Sequence, residues 1–553
     1  MSACSEAPSS SDVRPYYVAT VKIDPSMTEA DIIAKYGGDI VLLKPEAGFA
    51  VLAFNQKEGE LSTLATTTAN QNSFSAPEVS ASGSAAWGGG SAAWGGGWSA
   101  WSGGWSAWSG GFSAWSGGVS DGGPANNRTA WEHIKLREAH AISRNFGEGI
   151  VVAVIDTGID LNHPMFAGRL VASSQWRDFI DNDYYPMEAS SGSGRGHGTA
   201  VASIILQIAP KAKIMPIRVL DAFGNGDTDD VAKAIDWAVT KGAHVINMSL
   251  GTHAHDYTLF EMATYANNRG LMIFASSGND GGFGTMTQPG TYGIYNGPYM
   301  KTVGIASINP NRQLSSFSSY GDELYGAAPG ESIQGAFPGS QSASFKGTSF
   351  ATPMFTGAAA LALGEMSSVS ARANLSDYMS NSLDWQFAQS IGIPGARLLN
   401  VEQLIRSLPG FSEPQYLIRS VQSNKCLEVS GANTSNGGNI DQLTCTSTNL
   451  SHRWKLKPVG DYYQIINVNS GRVADVSGIS YDNGASIHQW SYGGGNNQKW
   501  QVLTNGDGSF SFRVVHSGKC MDVYGGSSAD GANIVQWGCH GGNNQKWRIQ
   551  LAN

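Results

Sequence analysis

The sequence predicts a multidomain protein: an α/β domain with a parallel sheet over residues 125–407, a small α+β unit before it at 16–66, and an all-β domain after it at 412–553. Residues 125–407 alternate short apolar runs with helical stretches, the pattern of strands buried on both faces and the crossover helices that cover them. Residues 16–66 hold a short helical stretch among strand-like runs, with a possible last helix, which reads as α+β. Residues 412–553 combine short strand-like runs and Gly/Asn turns with an internal repeat of about 46 residues in three copies, which reads as all-β.

Size and composition set the frame. At 553 residues the chain is too long for one core, since domains usually run to about 100–200 residues. Only 14% of residues are charged, while 70 are glycine, a balance common in extracellular enzymes. The net charge of −9, with no Lys/Arg-rich run, argues against nucleic acid as a partner. No apolar stretch approaches the roughly 18 residues a bilayer needs, so no transmembrane segment is expected.

Residues 1–15 read as a tail, and the start lacks the apolar core of a signal peptide. Its Cys4 is either the end of a lipoprotein-type cleavage box or incidental. The other cysteines form two pairs, Cys426 with Cys445 and Cys520 with Cys539, each 19 positions apart. The repeated spacing reads as two equivalent disulfides and an oxidising compartment. A secreted or cell-surface location is therefore expected, with the export route left open.

In the first unit, residues 16–23 alternate like a strand, 28–35 read as a helix, and 40–43 and 48–54 as further strands. Residues 67–124 are a low-complexity linker. Trp87, Trp94, Trp101, Trp108 and Trp115 recur every seven residues, with Trp98, Trp105 and Phe112 between them. Gly and Ser fill the gaps and disfavour helix. Regular aromatics are unusual in a solvated linker, so a sticky surface for sugar or self-association stands beside the plain linker reading.

Within 125–407, residues 150–155, 213–219, 244–248 and 271–275 read as parallel strands, and 229–240, 258–268 and 349–364 as helices. Three motifs carry chemistry. In Val154-Ile155-Asp156-Thr157-Gly158 an apolar strand ends in an acid and a glycine turn, which places Asp156 at the carboxyl edge of the sheet. In Gly196-His197-Gly198-Thr199 an imidazole sits at the mouth of a helix, between glycines that allow close backbone approach. In Gly347-Thr348-Ser349-Phe350-Ala351-Thr352-Pro353, Pro353 reads as first-turn proline, so Ser349 lies at a helix N-terminus that favours developing negative charge. An acid, a base and a hydroxyl nucleophile in this order are the parts that acyl transfer needs.

With these motifs in hand, residues 131–407 resemble the subtilisin-like serine endopeptidases (subtilases). The resemblance implies Asp156, His197 and Ser349 as the catalytic triad. It implies Asn279, in Ser277-Gly278-Asn279, as the oxyanion-hole side chain, and Ser249-Leu250-Gly251 with Ser277 and Gly278 as the backbone that pairs with an extended substrate. The unit at 16–66 resembles the inhibitory propeptide of that family, which implies an autoprocessed precursor in which the propeptide is an intramolecular inhibitor. Ala200 departs from the His often found there, outside any proton relay. Met165 stands where the family's tight calcium site has an Asp, and residues 203–210 are too short for its loop, so that site is expected to be absent. No cofactor is required, no metal site is assigned, and a structural calcium elsewhere stays open. Asp227, Asp229 and Asp230 read as a capped helix start rather than a metal site. His133, His140, His163, His244, His253 and His255 read as ordinary core or surface residues.

The C-terminal copies align as Cys426-Leu427-Glu428-Val429 with Cys445 and Trp454; Ala474-Asp475-Val476 with Trp490 and Gln498-Lys499-Trp500; and Cys520-Met521-Asp522-Val523 with Trp537 and Gln545-Lys546-Trp547. This resembles the ricin-B-type β-trefoil lectins. The resemblance implies two sugar sites, Asp475/Trp490/Asn497 and Asp522/Trp537/Asn544. The first copy, with Glu428, Leu443 and Ser451 at those places, is expected to have lost its site. Gln498, Trp500, Gln545 and Trp547 read as core packing. His488 and Val535 replace a Gln typical of the family, so the sugar is expected to differ from galactose. The expected function is a serine endopeptidase acting on protein or peptide substrates and directed to glycan. The alternatives are a lectin with a scaffold-only peptidase unit and a narrow processing protease.

Overall fold

A computed structural model describes residues 17–54, 67–69, 82–86, 127–253, 257–293, 302–366, 374–393, 395–505 and 507–552. The tail with Cys4, the aromatic repeats from Trp87 to Trp115, and His255 lie outside the described residues.

The central domain is built on a seven-stranded sheet. Its strands are β1 (Val151–Asp156), β2 (Arg177–Asp178), β3 (Lys213–Arg218), β4 (Val245–Met248), β5 (Met272–Ser276), β6 (Val303–Ile308) and β7 (Gly326–Pro329). They lie in the order β7-β6-β5-β4-β1-β3-β2, and every pairing is parallel. Both faces are covered, and alternate residues of one strand go to opposite cores. Val152 and Val154 join the cluster under helices α1 (His197–Ile208) and α4 (Thr348–Glu365). Ala153 and Ile155 join the cluster under α2 (Thr228–Thr240) and α3 (Tyr257–Asn267). That double burial is why these strands read as continuous apolar runs. Helix α4 is buried on every side from Thr348 to Leu363, so it is apolar all round rather than amphipathic.

Two local expectations are corrected. Pro353 lies inside α4, not in its first turn. A helix-interior proline leaves the carbonyl four residues back without its donor, at a cost of about 3 kcal/mol. Here that carbonyl belongs to Ser349, and the Ser249 hydroxyl donates to it at 2.8 Å. The start of α2 is not capped by the Asp227 side chain, which makes no capping bond. Lys233 instead reaches back to Asp229 at 2.6 Å and Asp230 at 3.1 Å.

The N-terminal unit follows the expected order: strand Tyr17–Lys22, helix Glu29–Tyr36, strands Asp39–Lys44 and Phe49–Phe54. Thr28 and Asp31 close a capping box on the helix. The sheet lies on α2 and α3. Val18, Phe49 and Val51 enter the core cluster of that face. Lys44 pairs with Asp236 at 2.5 Å, the Thr20 hydroxyl donates to Thr258 at 2.9 Å, and Arg269 pairs with Glu46 at 3.2 Å. Backbone at Thr67–Ala69 pairs with Tyr17 to Ala19, and backbone at Ser82–Ala86 pairs with Gln341 to Ser344.

The C-terminal domain has twelve strands in one connected sheet. The three copies meet at Trp454, Trp500 and Trp547, which are fully buried. Each indole N–H donates to a backbone carbonyl, of Leu427, Ala474 and Met521 respectively. The disulfides Cys426–Cys445 and Cys520–Cys539 close equivalent strand pairs of the first and third copies. The two large domains are joined by contact as well as by chain. Arg128 pairs with Asp461 at 2.5 Å, and Arg137 lies 4.7 Å over the Tyr463 ring. Ala141 packs into the core of the C-terminal domain.

Candidate active site and sugar sites

Three chain segments bring the motif residues together. Strand β1 ends on Asp156, α1 begins on His197, and Ser349 is the second residue of α4. Gly198 is what lets the first two meet, since a Cβ there would lie 2.0 Å from the Gly158 carbonyl oxygen. Gly196 before it has φ +91°, a conformation that suits glycine. His197 Nδ1 donates to Asp156 Oδ1 at 2.7 Å, with both side chains fully buried. The same carboxylate oxygen accepts the Thr157 N–H at 2.8 Å. This fixes the imidazole with its proton on Nδ1, so Nε2 is the free base. That nitrogen is buried and has no hydrogen-bond partner.

The His197 ring lies 5.4 Å from the ring of Phe350, the neighbour of Ser349. The Ser349 hydroxyl donates to the Ser249 carbonyl at 3.2 Å rather than to the imidazole. The Ser349 hydroxyl and the imidazole are therefore not hydrogen-bonded to each other here.

Asn279 sits beside the α4 N-terminus. Its side-chain oxygen accepts the Thr348 N–H at 2.9 Å and the Thr348 hydroxyl at 3.1 Å. Those bonds orient the carboxamide and leave its NH2 as the donor available to a ligand, next to the N-terminal N–H groups of the helix. Ser249, Leu250 and Gly251 follow β4, and Ser277 and Gly278 follow β5. Thr287 lies between them: its N–H donates to the Ser277 carbonyl, and a Cβ on Gly251 would lie 2.3 Å from its hydroxyl. Sequence reading missed Thr287, because nothing in its local pattern marks it. It also missed Glu188, whose segment bridges in parallel to Ile159, three residues past Asp156.

Among the histidines, His140 is buried and burial pushes its imidazole down to about 4, so it stays neutral at physiological pH. His163 is also held below its ordinary value by burial. Asp227 is pushed up to about 6 by burial and by Asp229 and Asp230. Those three acids lie within 4.8 Å of one another, with the Lys233 ammonium on Asp229 and Asp230.

In the C-terminal domain, Asp475 Oδ2 accepts from Asn497 at 3.0 Å and Gln498 at 2.7 Å. Asp522 Oδ2 accepts from Asn544 and from Gln545, both at 2.9 Å. The glutamines therefore hold the acids in place and do more than pack the core. Trp490 pairs with Val473 and Trp537 with Cys520, each two residues before its acid, and 44% and 37% of their surface is exposed. His488 bonds Asp475 Oδ1 at 3.2 Å and stacks on Trp490. In the first copy Glu428 is engaged by His452 at 2.9 Å and Ser451 at 3.3 Å, and Leu443 replaces the tryptophan.

Comparison with known proteins matches two families to the two large domains. The subtilase family matches residues 147–401, and the ricin-type β-trefoil lectin family matches 407–490 and 496–553. Thermitase of Thermoactinomyces vulgaris is 40% identical over 225 residues, 39% of this chain and 75% of that protein. Subtilisin Savinase of Lederbergia lenta is 38% identical over 224 residues, 39% of this chain and 76% of that protein. Among solved structures, the designed threefold-symmetric protein ThreeFoil is 39% identical, covering 25% of this chain and 97% of that one at a TM-score of 0.24. The chain belongs to the subtilase family: it is a subtilisin-like serine endopeptidase with a ricin-type β-trefoil lectin domain behind the peptidase domain.

Proposed function

We propose that Asp156, His197 and Ser349 are the catalytic triad, with the Asn279 amide and the Ser349 N–H as oxyanion donors. The observation that carries this is the fully buried Asp156–His197 bond, with its free Nε2 beside the α4 N-terminus. When substrate enters, the Ser349 hydroxyl turns from the Ser249 carbonyl to Nε2. His197 takes its proton as Oγ attacks the scissile carbonyl, and later gives that proton to the leaving amine. Asp156 steadies the imidazolium throughout. Ser249, Leu250, Gly251, Ser277 and Gly278 line an extended substrate, and backbone pairing of this kind tolerates many sequences.

The unit at 17–54 acts as an inhibitory propeptide, and the chain matures by self-cleavage before Asn127. Three observations support this. The unit docks on α2 and α3 through the contacts above. Asn127 is fully buried, with its side chain bonded to Gln207 and Gln334, which suits an anchored mature N-terminus. The strand Ser82–Ala86 pairs beside the segment that leads to Ser349, so the linker passes near the nucleophile. The two disulfides favour a secreted or cell-surface location. Among the described residues, no helix is long and apolar enough to cross a membrane.

The lectin domain directs the enzyme to glycan through the second and third copies. Removing Asp522 and Trp537 together, or Asp475 and Trp490 together, is expected to weaken binding to an immobilised glycoprotein by about tenfold or more, since each pair supplies a stacking ring and its polar partner. Combining all four should abolish binding while cleavage of a soluble peptide is unchanged. Full retention of glycoprotein binding by the fourfold variant would exclude these sites.

We infer that the family's tight calcium site is missing from this chain. A buried Met165 takes the place of the acid, and α1 runs unbroken from His197 to Ile208. Excess chelator should then leave the thermal midpoint of the mature enzyme within about 2 °C, because loss of a tight native-state ligand would cost several kcal/mol. A fall of roughly 10 °C or more would overturn this reading.

A further inference from the structure

Glu188 lies outside the three motifs, yet its carboxylate ties two of them together. Its backbone is fixed by the pairing of 186–188 with Ile159: the Ile159 N–H donates to Pro186 at 3.0 Å and the Glu188 N–H to Ile159 at 3.1 Å. The residue is only 7% exposed. Its Oε1 accepts the Thr157 hydroxyl at 2.7 Å and the Gly196 N–H at 2.6 Å. Its Oε2 accepts the Thr199 hydroxyl. The Thr157 hydroxyl in turn accepts the Gly198 N–H at 3.0 Å, and the Thr199 hydroxyl accepts the Asp160 N–H at 2.8 Å.

Both peptide N–H groups that flank His197 therefore hang from this one carboxylate, Gly196 directly and Gly198 through Thr157. The residues that follow Asp156 hang from it as well. Nothing in a local motif requires an acid at 188, and a buried carboxylate is expensive unless fully bonded. The geometry points to Glu188 as a positioning residue, one that sets the spacing of the Asp156 carboxylate and the His197 imidazole and places a second ionisable carboxyl beside that pair. The inference rests on the triad reading.

Burial pushes the Glu188 carboxyl up to about 7, with the Thr199 and Thr157 hydroxyls acting against it and the Asp156 charge adding to it. The sign follows. A carboxyl raised above its ordinary value of 4.5 contributes stability that is complete below about 4.5 and is lost as pH rises through about 7. The charged group that acts on it directly is Asp156, with His197 bonded to that carboxylate; Asp160, Arg195 and Arg218, on the neighbouring segments, are engaged elsewhere. The Asp160 carboxylate accepts the Gly339 N–H. Arg195 lies over the Phe337 ring. Arg218 is engaged by Asp178 and Asp181. Once ionised, Glu188 places a second negative charge beside Asp156.

The test uses the full chain. In a Ser349→Ala background, which removes self-cleavage, the titration of His197 is followed by NMR on nitrogen-labelled histidine with and without Glu188→Gln. The midpoint is expected to fall by at least about half a pH unit, because a neighbouring carboxylate charge is gone. In the active chain, Glu188→Gln should lower kcat per titrated active site by roughly tenfold at pH 8, keep KM within about twofold, and shift the acid limb of the kcat/KM profile the same way. An unmoved His197 midpoint, or kcat per active site within about twofold of native, would overturn the proposal. The NMR readout needs no catalysis, so it fails independently of the triad reading. If Glu188→Gln does not fold, Glu188→Asp keeps the charge and shortens the reach. Its kcat must then fall with KM unchanged, or the proposal fails.

Discussion

Ser349→Ala is expected to lower kcat for peptide hydrolysis by roughly 10⁶-fold, leaving a residual rate over water of about 10³–10⁴ from binding and oxyanion stabilisation. The loss is this large because the three groups act as one unit. His197 Nε2 is buried and without a partner, so in the absence of the hydroxyl it has no proton to take. KM should change little, since the backbone proposed to line the substrate, at Ser249 to Gly251 and Ser277 to Gly278, is untouched. Mass spectrometry of the full chain should show native material cleaved before Asn127 and Ser349→Ala material intact. Turnover of casein by purified Ser349→Ala at more than about a hundredth of the native rate would exclude Ser349 as the nucleophile. Cleavage of the variant at the native site without an added protease would separate maturation from this active site.

The second large effect is at Asn279. Asn279→Ala is expected to lower kcat by about 10²–10³-fold with KM within a few-fold, the signature of a donor that acts only on the developing oxyanion. The side chain has two jobs here, and they can be separated. Its oxygen holds Thr348 at the start of α4, and its NH2 is the free donor. Asn279→Asp keeps an acceptor for Thr348 but replaces the donor with a negative charge, so its kcat should fall at least as far as that of the alanine variant. If Asn279→Asp instead keeps most activity while Asn279→Ala loses it, the residue only braces the helix and the oxyanion role fails.

Much of the molecule could be read from the chain. Buried parallel strands leave apolar runs, and β1, β3, β4 and β5 lie within a residue or two of the runs that announce them. Asp156, His197 and Ser349 were legible because each sits at a junction with a local signature: strand to glycine turn, glycine to helix, glycine to helix. The trefoil was legible because three copies repeat, at nearly the same spacing, an acid (Glu428, Asp475, Asp522) and a later tryptophan (Trp454, Trp500, Trp547), and the second and third also share the exposed aromatic and Gln-x-Trp. The short β2 (Arg177–Asp178) and the hairpin at 333–345 carry too few residues for a period and were not.

What the sequence determined on its own is therefore the set of chemical parts and their order along the chain, since each part announces itself within a few neighbouring residues. Only the tertiary structure decided how they are held. It put the Ser249 hydroxyl on the carbonyl left bare by Pro353, 104 positions later in the chain, and the Asn279 oxygen on Thr348. It hung both N–H groups beside His197 on Glu188, and it closed the first lectin copy with His452. Those partners are chosen by which segments the folded sheet brings side by side, a contact between distant residues that leaves no pattern in the local sequence.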